Sequence, residues 1–570
     1  IGITTNGAPL ELDIKESAED GMGPHGLCIG ATGSGKSELL RTLVLALAVT
    51  HSSEELNFVL VDFKGGAAFR GFDQLPHTSA VITNLADEIE LVDRMQDALT
   101  GEMNRRQEFL RAHNYSSRRD YEAARAKGAP LEPMPALFIV VDEFSEMLTQ
   151  KPEFIDVFAM IGRLGRSLGV HLLLASQRLD EGRIHKVETH LSYRIGLRTF
   201  SAMESRSVIG VPDAYELPTS PGNGFLRPDT QTLIRFKAAY SSAPYRQKRR
   251  AQVAKATENR VVPFGLEYIE PQQEQPEEPA EVEEEDENTE TVLDVLLRRL
   301  RGIGPRAHQV WLPPLKTPAT LDQLLPPLVE DANGAPRADG PMSGSLVVPV
   351  GLIDLPDQQK RDLLVADLAG SQGNVAVVGG PQSGKSTMLR TLLCALALTH
   401  SPEEVQFYCL DFGGTLSALS VMPHVGSIAN RLDRDRVNRT VTEVTNLLTK
   451  RETIFAEHNI DSMATYRRAR RQGKFRDVDP YGDVFLVVDG WYTVRADFDE
   501  LEEKFTELAA RGLSFGIHLV VATNRWSEMR PWLRDVLQTR FELRLGDPVD
   551  SEVGSRIAQT VPAIPGRGIT

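Results

Sequence analysis

The sequence contains few cysteines. Three of its 570 residues are cysteine, at positions 28, 394 and 409, and their spacing matches neither a zinc-ligand set nor a disulfide framework. Each lies in an apolar run typical of a strand or a helix, so we expect three buried thiols in a reducing compartment. This cysteine usage excludes the class of secreted proteins that depend on disulfides.

Long apolar runs and an excess of positive charge are also missing. No run of about 18 apolar residues is present, so no segment of this sequence is predicted to cross a bilayer. Lys and Arg number 63 against 79 Asp and Glu, which gives a formal net charge of −16. That balance argues against a protein that binds nucleic acid over its whole surface, although a basic pore lining would be compatible with it.

The sequence does contain an internal repeat. A glycine-rich motif occurs twice, each time after a short apolar run and before a Leu- and Ala-rich helical pattern. Its residues are Gly30, Ala31, Thr32, Gly33, Ser34, Gly35, Lys36 and Ser37 in the first copy, and Gly379, Gly380, Pro381, Gln382, Ser383, Gly384, Lys385 and Ser386 in the second. Further matches follow in the same order, among them Asp62-Phe63 with Asp411-Phe412. The pattern therefore predicts a duplicated module.

Short β-branched runs alternate with helical patterns in both copies. This alternation predicts an α/β fold of two tandem RecA-like P-loop ATPase domains, each with a parallel-rich sheet flanked by helices. We place the first domain at residues 1–265 and the second at residues 301–570. Residues 266–300 are rich in Glu and Pro, and we expect a flexible acidic linker there. The second copy stops where the last strand of the first copy would have its counterpart, so we expect the chain to be a fragment.

The repeated motif has the composition of a phosphate-binding loop. Its glycines allow backbone amides to surround the phosphates of ATP, Lys36 adds positive charge, and the Ser37 hydroxyl can bind Mg²⁺. Asp142 ends a later apolar strand, where it can hold Mg²⁺ through water, and Glu143 can activate the attacking water. An ordinary helix N-terminus would also explain two consecutive acids there. We assign Lys36 and Glu143 as catalytic residues, and ATP and Mg²⁺ as cofactors.

Gln177 and Arg206 are two further catalytic candidates. Gln177 ends the next apolar strand, where its amide can sense the γ-phosphate and position water; a structural hydrogen bond to a loop is the alternative. Arg206 is a candidate arginine finger that would enter a neighbouring subunit's site and neutralise transition-state charge. A solvated helix arginine is the alternative at that position.

The second copy keeps the binding residues and changes the catalytic ones. Gly490 stands where the first copy has Glu143, Asn524 replaces Gln177, and Glu552 takes the place of Arg206. Because glycine cannot polarise water, we predict that this copy binds ATP without hydrolysing it. The retained residues are Lys385, Ser386, Thr387 and Asp489, of which Ser386 and, through water, Asp489 would hold Mg²⁺.

An apolar segment, Trp311-Leu312-Pro313-Pro314-Leu315, follows the acidic linker. Proline lacks an amide donor and favours an extended backbone, so the segment suits docking in a groove. Two interpretations stay open. The segment packs on the second copy as its first strand, or Trp311 and Leu312 fill an apolar pocket on the first copy and limit its turnover.

These motifs resemble the FtsK/SpoIIIE branch of the RecA-like ATPases. The resemblance is carried by the first glycine-rich loop, by residues 62–66, by residues 141–144 and by residues 169–178. Within that branch the chain is most similar to the EccC/EssC ATPases of type VII secretion systems. The residues that carry this closer similarity are 23–26 and 191–198 in the first copy, and 311–315, 405–409 and 479–483 in the second.

The resemblance implies an ATP-driven motor at the cytoplasmic face of the inner membrane. It implies a membrane anchor and a third ATPase domain outside this fragment, which would itself be soluble. The implied partners are small WXG-type secreted proteins (EsxB-like), other membrane components of the secretion system, and further copies of the chain in a hexamer. Nucleic acid is not among the expected partners.

A DNA translocase of the FtsK kind is the alternative function. The acidic balance, the unequal copies and the lack of a basic winged-helix-like segment in the sequence argue against it. A third class, a nucleotide-gated scaffold without motor action, would be favoured if the first copy proved inactive.

Overall fold

The chain divides into two compact units. The computed structural model describes residues 1–15, 21–65, 68–86, 88, 90–245, 290–315, 317–330 and 334–570. Unit 1 comprises Ile1–Pro313 and Pro356–Lys360, and unit 2 comprises Pro314–Leu355 and Arg361–Thr570. The boundary expected at residue 300 therefore moves to Pro313.

Unit 1 is built on a ten-stranded sheet with the order β2-β1-β10-β9-β8-β3-β7-β6-β4-β5. The strands are β1 Gly2–Thr4, β2 Pro9–Leu10, β3 His25–Ile29, β4 Leu56–Asp62, β5 Thr78–Ile82, β6 Ala136–Asp142, β7 Val170–Ser176, β8 Tyr193–Leu197, β9 Asn223–Arg227 and β10 Ile234–Ala238. The helices are α1 Lys36–Thr50, α2 Glu90–Ala112, α3 Arg118–Ala126, α4 Phe144–Gln150, α5 Ile155–Leu168, α6 Glu181–Glu188, α7 Ala202–Ile209 and α8 Val292–Leu300. The strands from β8 to β5 are parallel, and the remaining pairs are antiparallel.

Unit 2 repeats this parallel core in a seven-stranded sheet, β17-β16-β18-β19-β15-β20-β21. Its strands are β15 Val375–Val378, β16 Val405–Asp411, β17 Val425–Asn430, β18 Asp483–Asp489, β19 Ile517–Thr523, β20 Thr539–Leu543 and β21 Gly568–Ile569, and two small sheets contain β11 Leu328–Glu330 with β12 Pro336–Ala338 and β13 Val347–Leu355 with β14 Lys360–Asp367. The helices are α9 Leu321–Leu324, α10 Lys385–Thr399, α11 Arg434–Glu457, α12 Met463–Arg471, α13 Trp491–Asp497, α14 Glu502–Arg511, α15 Pro531–Val536 and α16 Ser555–Gln559.

Apolar clusters cover both faces of the parallel core in each of the two large sheets. In β3, Leu27 and Ile29 belong to one apolar cluster and Cys28 to the other, because successive side chains of a strand point to opposite faces. The strands of unit 2 divide in the same way, with Ala376 on one side and Val377 on the other. This arrangement confirms the predicted α/β fold, since a parallel sheet is stable only when helices bury both faces.

Helix α8 corrects the predicted extent of the acidic linker. Residues 246–289 lie outside the described residues, but Val292–Leu300 is helical and begins with a capping box between Thr291 and Asp294. Leu293 and Leu297, one helical turn apart, are buried in the core of unit 1. The capping box and this apolar spacing were visible in the sequence. In the described part of the chain, no helix has the length and apolar character needed to cross a membrane.

Candidate active site

The first glycine-rich loop connects β3 to α1. Gly33 and Gly35 have φ angles of 80° and 94°, in the left-handed region that side chains disfavour. A Cβ atom at Gly35 would lie 2.7 Å from the amide nitrogen of Gly222. That amide donates to the Ser34 carbonyl at 2.7 Å and ties the loop to the segment before β9. The loop therefore presents its backbone at the amino end of a long helix, which favours a bound phosphate.

In the first copy, Lys36 is paired with both predicted acidic residues. Its ammonium contacts Asp142 Oδ1 and lies 2.9 Å from Glu143 Oε1. All three side chains are at most 8% exposed. Burial alone would favour the neutral amine, but the two carboxylates together raise the pKa of Lys36. Asp142 and Glu143 reach the loop because they stand at the carboxyl end of β6, on the same edge of the sheet as the end of β3.

Glu143 has an unusual backbone conformation. Its φ and ψ angles are 60° and 38°, in the left-handed region, which costs a residue with a side chain about 1–2 kcal/mol. The corresponding Gly490 has a φ of 103°, which glycine adopts without this cost. The same sharp turn thus follows the strand in both copies, and only the first copy keeps a carboxylate there. Strained residues of this kind concentrate at functional sites.

Gln177 lies against the first loop. Thr32 Oγ1 donates a hydrogen bond to Gln177 Oε1 at 2.7 Å. The hydroxyls of Ser34 and of its counterpart Ser383 are buried and have no hydrogen-bond partner among the described residues. Buried polar groups normally have partners, so both loops contain a hydroxyl that a bound ligand could satisfy.

Lys64 and Glu146 form an ion pair that the motif analysis missed. Lys64 Nζ lies 2.7 Å from Glu146 Oε2. Glu146 is in the first turn of α4, the helix that begins directly after Glu143. The hydrogen bond to Glu146 raises the pKa of Lys64, with a smaller contribution from the Glu143 charge. The second copy has Gly413 and Thr493 at these two positions. Both members of the pair are replaced in the second copy, so an alignment of the two copies could have revealed them.

The second loop connects β15 to α10, but its lysine has different partners. Lys385 Nζ donates to the carbonyls of Gly379 and Gly380 at 2.7 Å and 2.8 Å. Burial lowers the pKa of Lys385, and the Asp489 carboxylate offsets this only in part. Asp489 instead accepts a hydrogen bond from Ser386 Oγ at 2.7 Å. The lysine and the acid that pair in the first copy are therefore separate in the second.

The oxygen atoms near both loops suit Mg²⁺. Ser386 Oγ and Asp489 Oδ2 are already in contact, and Ser37 and Asp142 occupy the same positions in the first copy. Among the described residues, no group of three or more His, Cys, Asp or Glu side chains could form a metal site by itself. Mg²⁺ commonly takes one or two protein ligands and completes its shell with phosphates and water, so these residues fit an ion that arrives with a nucleotide.

Asn524 and Thr387 hold the remaining positions assigned in the second copy. Asn524 follows β19 as Gln177 follows β7, and its backbone amide donates to Glu528 Oε2 at 3.1 Å. Thr387 is the third residue of α10 and lies in the first turn of that helix, directly after the loop. The second copy therefore keeps the residues of its loop and helix start, whereas the residue after the neighbouring strand is Asn524 in place of Gln177.

Arg206 is exposed on α7. Among the described residues, no hydrogen bond or ion pair joins the Arg206 side chain to Asp142 or Glu143, which pair with Lys36. Its alignment with Glu552 is supported by a shared hydrogen bond two residues earlier: the Leu179 amide donates to Glu204, and the Trp526 amide donates to Asp550. Glu552 itself pairs with Arg534 at 2.8 Å. An exposed arginine in this position is available to a second molecule.

Trp311 packs on the core of the first copy and not in a strand of the second. Its ring is 9% exposed, and the Arg94 guanidinium carbon lies 5.6 Å from the ring centroid. Arg94 Nε also donates to the Leu312 carbonyl at 2.8 Å, and the Val310 amide donates to the Ser79 carbonyl at 3.1 Å. Val310 thus bonds the edge strand β5 and Leu312 bonds helix α2, which explains why unit 1 extends to Pro313.

Comparisons with known proteins identify the family of the chain. The model of the FtsK/SpoIIIE family matches residues 2–181 and 346–568. The chain is 61% identical to the ESX secretion system protein EccC of Thermomonospora curvata, over 100% of this chain and 44% of that protein. It is 52% identical to the ESX-4 secretion system protein EccC4 of Mycobacterium tuberculosis, over 100% of this chain and 45% of that protein.

A solved structure shows the same similarity in three dimensions. The cytoplasmic domain of the Thermomonospora curvata type VII secretion ATPase EccC is 60% identical and superimposes with a TM-score of 0.90. That comparison covers 100% of this chain and 62% of the solved chain. The chain spans less than half the length of the two curated relatives described above.

Proposed function

The chain belongs to the FtsK/SpoIIIE family of ATPases, and from that premise we propose that it is part of a type VII secretion motor. In this proposal the first copy hydrolyses ATP and the second copy only binds it. The observation that carries the proposal is the pair of strand ends after β6 and β18. Glu143 keeps a buried carboxylate in a costly left-handed conformation, whereas Gly490 has none.

ATP binding would change the partners of Lys36. The lysine now neutralises Asp142 and Glu143, and the β- and γ-phosphates would compete for the same ammonium. Ser37 and, through water, Asp142 would hold Mg²⁺, which supplies positive charge to the phosphates. Glu143, released from Lys36, would accept a hydrogen bond from the attacking water and orient it in line with the γ-phosphate. Gln177, held by Thr32, stands at the loop where it can contact the same water.

The second copy would retain its nucleotide. Lys385, Ser386 and Asp489 supply the charge and the oxygen ligands, but no carboxylate follows Asp489. Without a group that orients water, a bound triphosphate persists and stabilises the fold of unit 2 by mass action.

The proposed transported partners are small WXG-type proteins, and the proposed place is the cytoplasmic face of a membrane, in a hexamer with other secretion components. The names of the relatives, which are ESX secretion system proteins, support the part of this proposal that concerns secretion. Turnover stimulated by a WXG-type protein and not by DNA is the expected result. Salt-sensitive stimulation by DNA would support the translocase alternative.

Turnover of the Glu143→Gln variant tests the division of labour. Water-orienting and charge-stabilising groups are worth about 2.7–4 kcal/mol of barrier, so we expect a loss of roughly 10²–10³-fold in turnover. ATP binding should persist, since Lys36, Ser37 and Asp142 are unchanged. The matched control is Glu153→Gln, which changes an exposed glutamate of unit 1 outside the site.

Release of inorganic phosphate and binding of a fluorescent ATP analogue would be measured on the same samples. Parental turnover in Glu143→Gln would refute the assignment of this glutamate. Hydrolysis by a chain with Lys36→Ala would place activity in the second copy.

A further inference from the structure

Unit 2 contains a charged cavity away from its glycine-rich loop, which we call the arginine cavity. Its volume is about 230 Å³, and its lining includes five arginines against three carboxylates. The arginines are Arg337, Arg467, Arg470, Arg471 and Arg476, and the carboxylates are Glu403, Glu404 and Asp483. His400 also lines it, and burial lowers the pKa of that imidazole, so it adds no charge at neutral pH. A protein of net charge −16 thus has a cavity with a positive excess.

Two of these arginines build the wall. Arg467 holds Asp483 with bonds of 2.7 Å and 2.8 Å from Nη2 and Nε. Arg470 is 8% exposed, and its guanidinium donates to the carbonyls of Asp479, Pro480 and Glu403. Their donors are largely used, so these two residues fix the geometry of the cavity.

The other three arginines keep most of their donors open. Arg337 reaches Glu404 at 3.3 Å and Arg476 reaches Glu403 at 3.4 Å, both longer than the 2.7–2.9 Å usual for charge-assisted bonds. Arg471 donates to the Gly344 carbonyl at 2.6 Å. A guanidinium has five N–H donors, and the described contacts of each of these arginines use few of them.

The corresponding helix of the first copy has a different charge pattern. Helices α3 and α12 correspond, since each follows a serine N-cap and carries a buried tyrosine, Tyr121 or Tyr466, as its fourth residue. Arg467 and Arg471 therefore correspond to Glu122 and Ala126. Arg471, one of the three arginines with open donors, thus has no basic counterpart on α3.

We propose that the arginine cavity binds a small anion with two or three phosphate groups, held by Arg337, Arg471 and Arg476. Phosphate is favoured over carboxylate because Glu403 and Glu404 already offer carboxylates to these arginines. Only an anion with more charge and more oxygens per group would displace them. Lipid headgroups with several phosphates share this chemistry with free oligophosphates.

The cavity is distinct from the nucleotide loop. Asp483 begins β18 at the cavity, and Asp489 ends the same seven-residue strand at the loop. At about 3.3 Å per residue the two ends lie roughly 20 Å apart. The proposal does not depend on which copy hydrolyses ATP.

Calorimetric titration with inorganic pyrophosphate tests the site. The chain carries Lys36→Ala and Lys385→Ala, so that the two glycine-rich loops do not compete for the probe. We expect one saturable site, weakened at least tenfold by Arg471→Ala with Arg476→Ala. The matched control is Arg468→Ala, an exposed arginine of α12 that does not line the cavity. Citrate should bind at least tenfold more weakly, and vesicles containing a lipid with several headgroup phosphates should bind only if a lipid is the source.

A second measurement avoids variants. In the unsubstituted chain without added nucleotide, pyrophosphate should protect Arg471 and Arg476, but not Arg468, from phenylglyoxal, as read at each arginine by mass spectrometry. Absence of saturable binding, equal affinity in the double-arginine variant, equal binding of citrate, or unprotected labelling would each overturn the proposal.

Discussion

The two nucleotide loops share a fold and differ in charge. Each connects a central strand of the parallel core to a long helix that begins with a lysine and a serine, and the two cores have the same strand order. The first copy adds Lys64, Glu143 and Glu146 at the strand ends, where the second has Gly413, Gly490 and Thr493. A loop that binds nucleotide can therefore be kept while the charged groups that would act on it are removed.

The contacts of the two loop lysines, Lys36 and Lys385, follow from this difference in charge. With two carboxylates nearby, Lys36 forms a buried ion cluster, whereas Lys385 turns back to two backbone carbonyls. Nucleotide must compete with an ion pair in the first copy and with neutral acceptors in the second.

Replacing Arg206 should have the largest effect. An arginine finger is worth about 10³–10⁵ in turnover, so Arg206→Ala should lose at least 10³-fold while ATP binding persists. Turnover per chain of the parent should rise with protein concentration, because the finger comes from a neighbour. The matched change in the second copy, Glu552→Ala, should leave turnover unaltered. A parental rate that is independent of concentration would make Arg206 a surface residue.

Removing the lysine of the second loop should affect stability more than activity. With ATP at a thousandfold excess over its dissociation constant, binding stabilises the folded state by about 4 kcal/mol. Lys385→Ala should remove most of that increment, seen as a lower Tm in ATP and an unchanged Tm without it. ATP, and not ADP, should be extracted from the purified parent chain. Phosphate release that depends on Lys385 with Lys36 already replaced would contradict the comparison.

Loosening the Trp311 segment should raise turnover of the first copy. If the segment limits the motion of α2 and β5, Trp311→Ala should speed hydrolysis by roughly fivefold, the factor that corresponds to about 1 kcal/mol. Trp311→Phe, which keeps an aromatic ring near Arg94, is the control. An unchanged rate together with a lower Tm of unit 1 would show that the segment serves only as core.

Adding a side chain at Gly490 should have a modest effect on the stability of unit 2. Gly490→Ala places a Cβ atom in the left-handed region, 3.3 Å from Phe412 Cβ, and should destabilise unit 2 by about 1–2 kcal/mol. Gly546→Ala, whose Cβ would have no neighbour within 4 Å, is the matched control. Denaturant unfolding monitored for each unit would measure both. Equal stability of the two variants would show that the left-handed turn carries no cost here, and that Glu143 is not strained.

Several features could be predicted from short segments of sequence. Each glycine-rich loop, each apolar strand and each strand-end position such as Glu143 or Gly490 occupies only a few consecutive residues, and its chemistry depends on local backbone and residue type. The duplication was visible because two copies preserve the same order of such segments. The α/β fold followed from the alternation of strand and helix patterns, which reflects burial of both sheet faces.

Other features depended on residues that are far apart in the chain. The partners of Lys36, the packing of Trp311 against Arg94, and the boundary at Pro313 are set by which side chains meet across strands and helices. The arginine cavity likewise joins residues from five separate segments between Arg337 and Asp483. The sequence by itself determined the fold class, the duplication and the loss of the second glutamate. Only the tertiary structure decided these contacts, because burial and electrostatic pairing act through space and not along the chain.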